Sequence, residues 1–326
     1  MSVATVSKVI NRRYGVSADT FAKVMGVIEE TGYHASLVAQ SLRNHRTNVI
    51  GVLVADIELF TAELLKGIAD GIRESGWELV VYSAGGHATA HLGWESRYLS
   101  RLSGTLIDGA ILVTPTVVDV NYGSPVVAVD PHMGRQRIPT VHADNLRGAE
   151  LAVEHLLDLG HRRVGMITGR PDLQSAKLRE QGFRRALRRA GIEVDGALLA
   201  PGDYRTDMSV TAASTLLSLR PRPTAIFAAN DAAAIGVLTA ATEMGLRVPR
   251  DLSIVGFDNV PDSAATVPPL TTIEQPIHQM GKCAVELLLS LMQGQTAKKT
   301  NIILPTRLIQ RDSTAPPRAR RSRSDR

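Results

Sequence analysis

The sequence contains a single cysteine, Cys283, and aromatic residues make up only 4% of its 326 positions. One cysteine excludes an intrachain disulfide framework and any cysteine cluster for zinc. No run of eighteen apolar residues occurs, which excludes a membrane-spanning helix. The N-terminus lacks a basic start followed by an apolar run and a small-residue cleavage site, so secretion is not expected and the chain reads as cytoplasmic. Gly-x-Gly-x-x-Gly, the Gly-Lys-Ser/Thr phosphate loop and the Gly-x-Ser-x-Gly elbow are also missing, which argues against nucleotide enzymes and serine hydrolases. His87, His91 and Glu95 are spaced like metal ligands on a helix, but Ala88 stands where His-Glu-x-x-His needs its glutamate, and the stretch reads as a solvated face. No enzyme activity, cofactor or metal is expected.

What is present is ordinary for a soluble globular protein, with 44% hydrophobic and 21% charged residues. The length suggests two or three folding units. The net charge of +5 is unevenly placed. The last twelve residues carry five arginines and one aspartate, residues 1–46 carry +3, and the long middle is mildly acidic at −2. Basic ends suit nucleic-acid phosphates, whose condensed counterions they displace, although solvated tails would look the same.

From residue 49 the sequence alternates short apolar runs with helical patterns. Strands are expected at 49–54, 78–82, 109–113, 126–129, 164–167, 224–228 and 253–257, and helices at 62–75, 148–159, 175–190, 208–218 and 232–244. This alternation implies βαβ units and parallel sheets covered on both faces. So many elements exceed one compact sheet, so two doubly wound lobes are expected. Gly160 is placed to end one helix before the second lobe opens. From Ala315 the proline- and arginine-rich tail has no apolar periodicity and should be disordered.

Residues 1–48 read as helices only, at 5–11, 17–31 and 36–43. Ser17 is a plausible N-cap and Gly32 a plausible stop, and 44–48 is a polar connector. The segment Ser2-Val3-Ala4-Thr5-Val6-Ser7-Lys8-Val9-Ile10-Asn11 suits DNA. Its hydroxyls and Lys8 can reach phosphates, while the small Val3 and Ala4 can approach base edges in the major groove. Val6, Val9 and Ile10 would face the head's own core, as in a plain amphipathic helix.

This segment, followed by Val16-Ser17, Thr20, Gly32-Tyr33, Ala39, Ser41-Leu42-Arg43, Arg46-Thr47 and Ile50-Gly51, resembles the lac repressor/gal repressor family of bacterial transcription regulators. The similarity continues through Asp144-Asn145, Leu159-Gly160-His161-Arg162-Arg163, Asn230-Asp231, Ser253-Ile254-Val255-Gly256-Phe257-Asp258, Pro268-Pro269-Leu270-Thr271-Thr272-Ile273 and Leu308-Ile309-Gln310-Arg311-Asp312-Ser313-Thr314. It spans residues 1–314. The resemblance implies an α/β protein with two doubly wound, periplasmic-binding-protein-like lobes behind a small all-α DNA-binding head. It implies a head at 1–33, a hinge helix and linker at 34–48, and a disordered basic tail at 315–326. The first lobe would comprise 49–145 plus 277–304, and the second 146–276 plus 305–314.

Family members begin with a further helix that ends in Ala-Gly-Val, and here Met1 takes the place of that valine. The chain as given is therefore expected to lack the first helix of its helix-turn-helix, which braces the second against the DNA. A GTG valine codon passed over as the start would explain this, and a genuine truncation with weakened or lost DNA binding is the alternative.

By the same resemblance Val3, Ala4, Thr5, Ser7, Lys8 and Asn11 would read operator DNA. Leu42, with Ala39 beside it, would wedge into a minor-groove base step, exchanging unstacking for a bent duplex. His34-Ala35-Ser36 departs from the family's Pro-Asn hinge start, though Ser36 could still cap. The effector contacts would be Arg179 as a guanidinium fork, Asp258 and Asn230 as polar partners, and Tyr204 and Phe60 as ring platforms, with Asp172 as an addition. Such groups suit the vicinal hydroxyls and ring face of a sugar. Without the resemblance, Arg179 would read as one of several surface arginines on its helix, Tyr204 as a packed surface aromatic and Asp258 as a turn residue. His161-Arg162-Arg163 reads as a solvated cluster complementing a helix end, and Cys283 as a small core residue.

The expected partners are thus operator DNA, a sugar or related small-molecule effector, and a second copy of the chain, since two-fold symmetry doubles the reading length. Two other classes fit parts of the sequence. A solute-binding receptor would share the body but not the head, and a sugar-modifying enzyme would need an acid/base pair or a phosphate loop. An operator shift, sugar binding without DNA binding, or turnover would separate the three.

Overall fold

The computed structural model describes residues 1–10, 14–31, 46–85, 93–103, 106–116, 123–132, 138–295 and 300–318. In the head, α1 (Val3–Ile10) packs on α2 (Ala18–Thr31). Ser2 and Ser17 cap them in the same way, each hydroxyl accepting from the amide three residues on, Thr5 at 3.2 Å and Thr20 at 3.4 Å. Helix α1 starts two residues before the expected position because its cap is Ser2. Val9 and Val24 are buried, and Val6 and Ile10 half-buried, as the amphipathic pattern requires.

The body contains two six-stranded sheets. The first holds β1 (Val49–Val54), β2 (Glu78–Ser83), β3 (Gly109–Val113), β4 (Val126–Val129), β5 (Thr140–Ala143) and β11 (Asn301–Leu304) in the order β11-β5-β4-β3-β1-β2. The second holds β6 (Val164–Thr168), β7 (Leu199–Pro201), β8 (Ala225–Ala228), β9 (Ser253–Asp258), β10 (Thr271–Glu274) and β12 (Arg307–Ile309), ordered β12-β10-β9-β8-β6-β7. All pairings are parallel except β10 with β12. The apolar runs at 49–54, 109–113 and 126–129 are buried at every position, because helices cover both faces.

The expected strands occur, and β5, β7, β10, β11 and β12 join them. Each of the five has only three or four residues and, unlike the equally short β4 and β8, is broken by a polar side chain or proline, so neither a period nor a continuous apolar run marks it.

In chain order the body helices are α3 (Leu59–Ile72), α4 (Trp94–Leu102), α5 (Asn145–Asp158), α6 (Gln174–Arg189), α7 (Thr206–Ser218), α8 (Asp231–Glu243), α9 (Pro261–Ala265) and α10 (Ile277–Met292). Helices α3 and α10 approach backbone to backbone: a Cβ on Gly67 would overlap the His278 carbonyl, and one on Gly281 would lie 2.7 Å from the Leu64 carbonyl oxygen. Helix α5 starts at Asn145 rather than 148, since Asp144 caps it by accepting from the Arg147 amide at 2.9 Å. No helix among the described residues is long and apolar enough to cross a membrane.

Several expectations are corrected. Glu95 does not lie on a solvated face. It is fully buried and accepts from the Thr116 amide and hydroxyl, which gives its charge the partners that burial demands. His87 and His91 lie outside the described residues. His161 is 1% exposed and bonds to Thr224, Ser253 and the Ala315 carbonyl, so it staples the C-terminal segment to the second sheet instead of facing water. The segment from Ala315 is accordingly tied down as far as Arg318, which pairs with Asp251 at 3.3 Å, and 319–326 lie outside the described residues. Cys283 packs partly buried against the first-lobe core.

Candidate functional site

Strand ends place the chemistry. In doubly wound sheets the ligand crevice lies beyond the carboxyl ends of the strands. Here both sheets direct those ends into one cavity of about 610 Å³. Residues just past β1, β3 and β4 (Asp56, Thr114, Asp130) form one wall, and residues at or after β6, β7, β8 and β9 (Asp172, Tyr204, Asn230, Asp258) form the other. Phe60, Asp172, Arg179, Tyr204, Asn230 and Asp258, scattered over two hundred residues of sequence, all line it.

The chain enters these positions at some backbone cost. Seven described non-glycine residues have left-handed φ, and five of them, Thr114, Asp130, Asp203, Tyr204 and Asp258, line the cavity. Backbone strain of this kind gathers where geometry serves a ligand.

Arg179 is the centre of the second-lobe wall and is only 3% exposed. Its Nε donates to Asn145 Oδ1 at 2.8 Å, and Nη1 donates to the Ala229 carbonyl at 2.5 Å and to Asp258 at 3.4 Å. The guanidinium lies 3.8 Å over the centre of the Phe257 ring and 5.5 Å from that of Tyr204. Nη2 makes no hydrogen bond to a described residue, so one donor of the fork is left for the cavity. The remaining arginines of α6 are outward: Arg185 and Arg189 pair with Glu150, and Arg184 with Glu180.

Asp258 accepts from Gln275 Nε2 at 2.6 Å. Burial raises its carboxyl above the ordinary range, against the opposing effects of Arg179 and the Gln275 bond. Beneath it Asp231 is fully buried and raised by burial and then by Asp258, although it accepts from Thr272 and from the Val260 amide. Tyr204 is admitted because Gly169 has no side chain; a Cβ there would overlap the ring. Burial pushes its phenol to about 12. Ser175 stands near it, yet no described group meets hydrogen-bond geometry with the hydroxyl. Gln275 Oε1 is likewise buried without a partner.

Two expected contacts differ from their simple roles. Asn230 caps α8 through the Ala233 amide at 2.8 Å and turns its amide to the Tyr204 carbonyl, so it braces the wall as much as it faces the cavity. Asp172 is already engaged by Arg170 at 2.7 Å and lies 3.4 Å from His132 across the cleft. Burial lowers the His132 pKa, against the opposing effect of Asp172. Asn145, Phe257, Asp130, Ser175 and Gln275 were not anticipated. Only Asp130 carried a usable signal, as an acid directly after an apolar run.

In the head, Val3, Ala4 and Lys8 are exposed on α1, Val3 at 85%, while Thr5 and Ser7 are half-buried. The Thr5 hydroxyl already pairs with Ser2 at 2.9 Å. Asn11, Ala39 and Leu42 lie outside the described residues, as does the hinge stretch 34–45. Past it, Asp108 of the first lobe accepts from the Thr47 and Asn48 amides at 2.8–2.9 Å, which fixes where the chain leaves the body.

A head of this kind on a two-lobed body has close counterparts. The model of bacterial regulatory proteins of the lacI family matches residues 1–36, and that of the periplasmic binding protein-like domain matches 153–314. Catabolite control protein A of Priestia megaterium is 33% identical over 323 residues, 96% of each chain. The lac repressor dimer bound to operator and the anti-inducer ONPF superposes with a TM-score of 0.83 at 31% identity, covering 97% of this chain and 96% of that one. The transcriptional regulator CelR in complex with cellobiose gives 0.74 at 30% identity, covering 96% of each. Head, lobes and cleft together make this chain a DNA-binding transcriptional regulator with an effector-binding body, and it belongs to the lacI family.

Proposed function

We propose that the protein represses a carbohydrate-utilisation operon in the cytoplasm, reading a pseudo-palindromic operator as a homodimer and responding to a sugar or sugar derivative held between its lobes. The observation that carries the effector reading is the Arg179–Asp258 pair, buried at the meeting of both sheets with a free guanidinium donor and two aromatic faces beside it. A buried ion pair is a poor source of stability, so its placement in a cavity favours a ligand-binding role. The superposition on an operator-bound repressor and on a cellobiose complex supports the same reading.

The pair also touches both lobe crossovers that flank it. Arg179 holds Asn145, where the chain first passes between lobes, and Asp258 holds Gln275, where it passes back. A ligand that rearranges the pair therefore acts on the residues that set the lobe angle. Asp108 carries that change to the linker amides and so to the head. In this reading the chain divides at 145–146, 276–277 and 304–305. Val3, Ala4, Thr5, Ser7, Lys8 and Asn11 contact operator DNA, Val3 and Ala4 at major-groove base edges and the hydroxyls and Lys8 at phosphates, and Leu42 with Ala39 contacts the minor groove.

The test is an operator gel shift at fixed salt with increasing sugar, paired with calorimetry of the same sugar. A sugar that binds and changes operator affinity is the expected result. Sugar binding without any DNA shift would instead favour a solute receptor.

A further inference from the structure

The two walls of the cleft differ in charge. Six carboxylates line it against three arginines. Arg170 is paired to Asp172 and Arg205 to Asp207, while Arg179 is enclosed by Asn145, the Ala229 carbonyl and Asp258. The first-lobe wall carries Asp56, Glu58 and Asp130 and, among the described residues, no cation. None of these three makes an ion pair with a described lysine or arginine. Burial raises Asp130 and Glu58, with Asp56 adding to the effect on Glu58, while Arg179 opposes it at Asp130 and Arg170 at Glu58.

A second feature points the same way. Gln275 is 4% exposed and its Oε1 has no partner, while its Nε2 is committed to the Asp258 carboxylate, which fixes the amide's orientation. On the first-lobe wall and at Gln275 the unmet groups are therefore acceptors, while the free donors, Arg179 Nη2 and the Tyr204 hydroxyl, lie on the second-lobe wall. A phosphate or carboxylate would bring further acceptors, and a neutral polyol would leave the excess negative charge uncompensated.

We propose that the effector is a small polyhydroxylated amine whose protonated nitrogen faces Asp56, Glu58 and Asp130, and that phosphorylated ligands are excluded. This rests on the reading of the cleft as the effector site. The hydroxyls meet Arg179 and Gln275, and the aromatic faces of Phe60 and Tyr204 cover the carbon skeleton.

The test uses calorimetry on the full chain with matched trios: glucose, glucosamine and glucose 6-phosphate; galactose, galactosamine and galactose 6-phosphate. Within a trio that binds, the amine should bind roughly tenfold tighter than its parent or more, as a charged hydrogen bond allows, and the phosphate should not bind. Glu58→Gln and Asp130→Asn should each shrink the amine-to-parent ratio and together bring it close to one. Melting temperatures of the unliganded variants verify that both fold. A parent sugar or phosphate that binds as tightly as the amine overturns the proposal but leaves the cleft an effector site. If no member of either trio binds, the effector reading of the cleft loses its support and this inference fails with it.

Discussion

The two lobes are the same scaffold used twice with different chemistry. Position by position, β2-β1-β3-β4-β5-β11 of the first sheet corresponds to β7-β6-β8-β9-β10-β12 of the second, and only the last strand changes direction. The first-lobe core is built from large aliphatics such as Ile50, Ile68 and Leu288, whereas one face of the second is packed with alanines, among them Ala212, Ala213, Ala233, Ala234, Ala240 and Ala241. The difference that matters sits at the strand ends. The second lobe buries a cation and two neighbouring acids there, Arg179 with Asp258 and Asp231, whereas the first lines the cavity with Asp56, Glu58 and Asp130 and, among its described residues, no lysine or arginine. The architecture is fixed by cores and register, so strand-end residues are free to differ without altering the fold.

Substitutions on the second-lobe wall should break this contrast most strongly. Arg179→Ala leaves Asp258 buried without its charge partner. Loss of one member of such a pair costs about 3–5 kcal/mol of stability, and the loss of a charged donor weakens effector binding by roughly ten- to hundred-fold or more. Calorimetry and thermal unfolding read the two effects separately, and unchanged sugar affinity would remove Arg179 from the site.

Gly169→Ala tests the aromatic face of the same wall. The new Cβ meets the Tyr204 ring, and overpacking of this kind costs about 1–3 kcal/mol. Sugar affinity should fall while operator affinity without sugar is retained, as gel shifts can verify.

The acids sharpen the contrast through pH. Asp231 has a higher pKa folded than unfolded because burial and Asp258 disfavour its charge. The folded state therefore keeps its proton longer, and the stability it confers is greatest below the ordinary carboxylate range and falls as pH rises through its raised pKa. Asp231→Asn should flatten that fall in a series of melting curves, and an unchanged slope would show that Asp231 does not titrate across it. The smallest effect is expected for Arg188→Ala. Exposed at the end of α6, it should change stability by less than about 0.5 kcal/mol and sugar affinity not measurably.

Much of the scaffold was legible. Apolar runs at 49–54, 109–113 and 126–129 became strands with those bounds, since continuous hydrophobicity is what a sheet buried on both faces requires. Ser17 and Gly160 punctuated their helices as expected. The short strands β5, β7, β10, β11 and β12 escaped because, unlike the equally short apolar run at 126–129, their three or four residues are broken by polar side chains or proline and stand out by neither period nor continuous hydrophobicity. Glu95 and His161 read as solvated because a polar stretch without a metal motif and a basic cluster after a helix both look exposed until a distant Thr116 or Ser253 supplies the partner.

The sequence by itself therefore determined the alternation of elements, the amphipathic head and, through motif resemblance, the family and six residues of the cleft. Each of these is written in neighbouring residues or in a short string. Tertiary structure alone decided what those six residues face. Arg179 meets Asn145, Phe257 and Asp258 across intervals of 34 to 79 residues, and Gln275 meets Asp258 only because β9 and β10 lie side by side. Burial then raises the pKa of Asp231, Asp258 and Tyr204. Burial belongs to the folded chain, because it depends on which distant segments exclude water from each group.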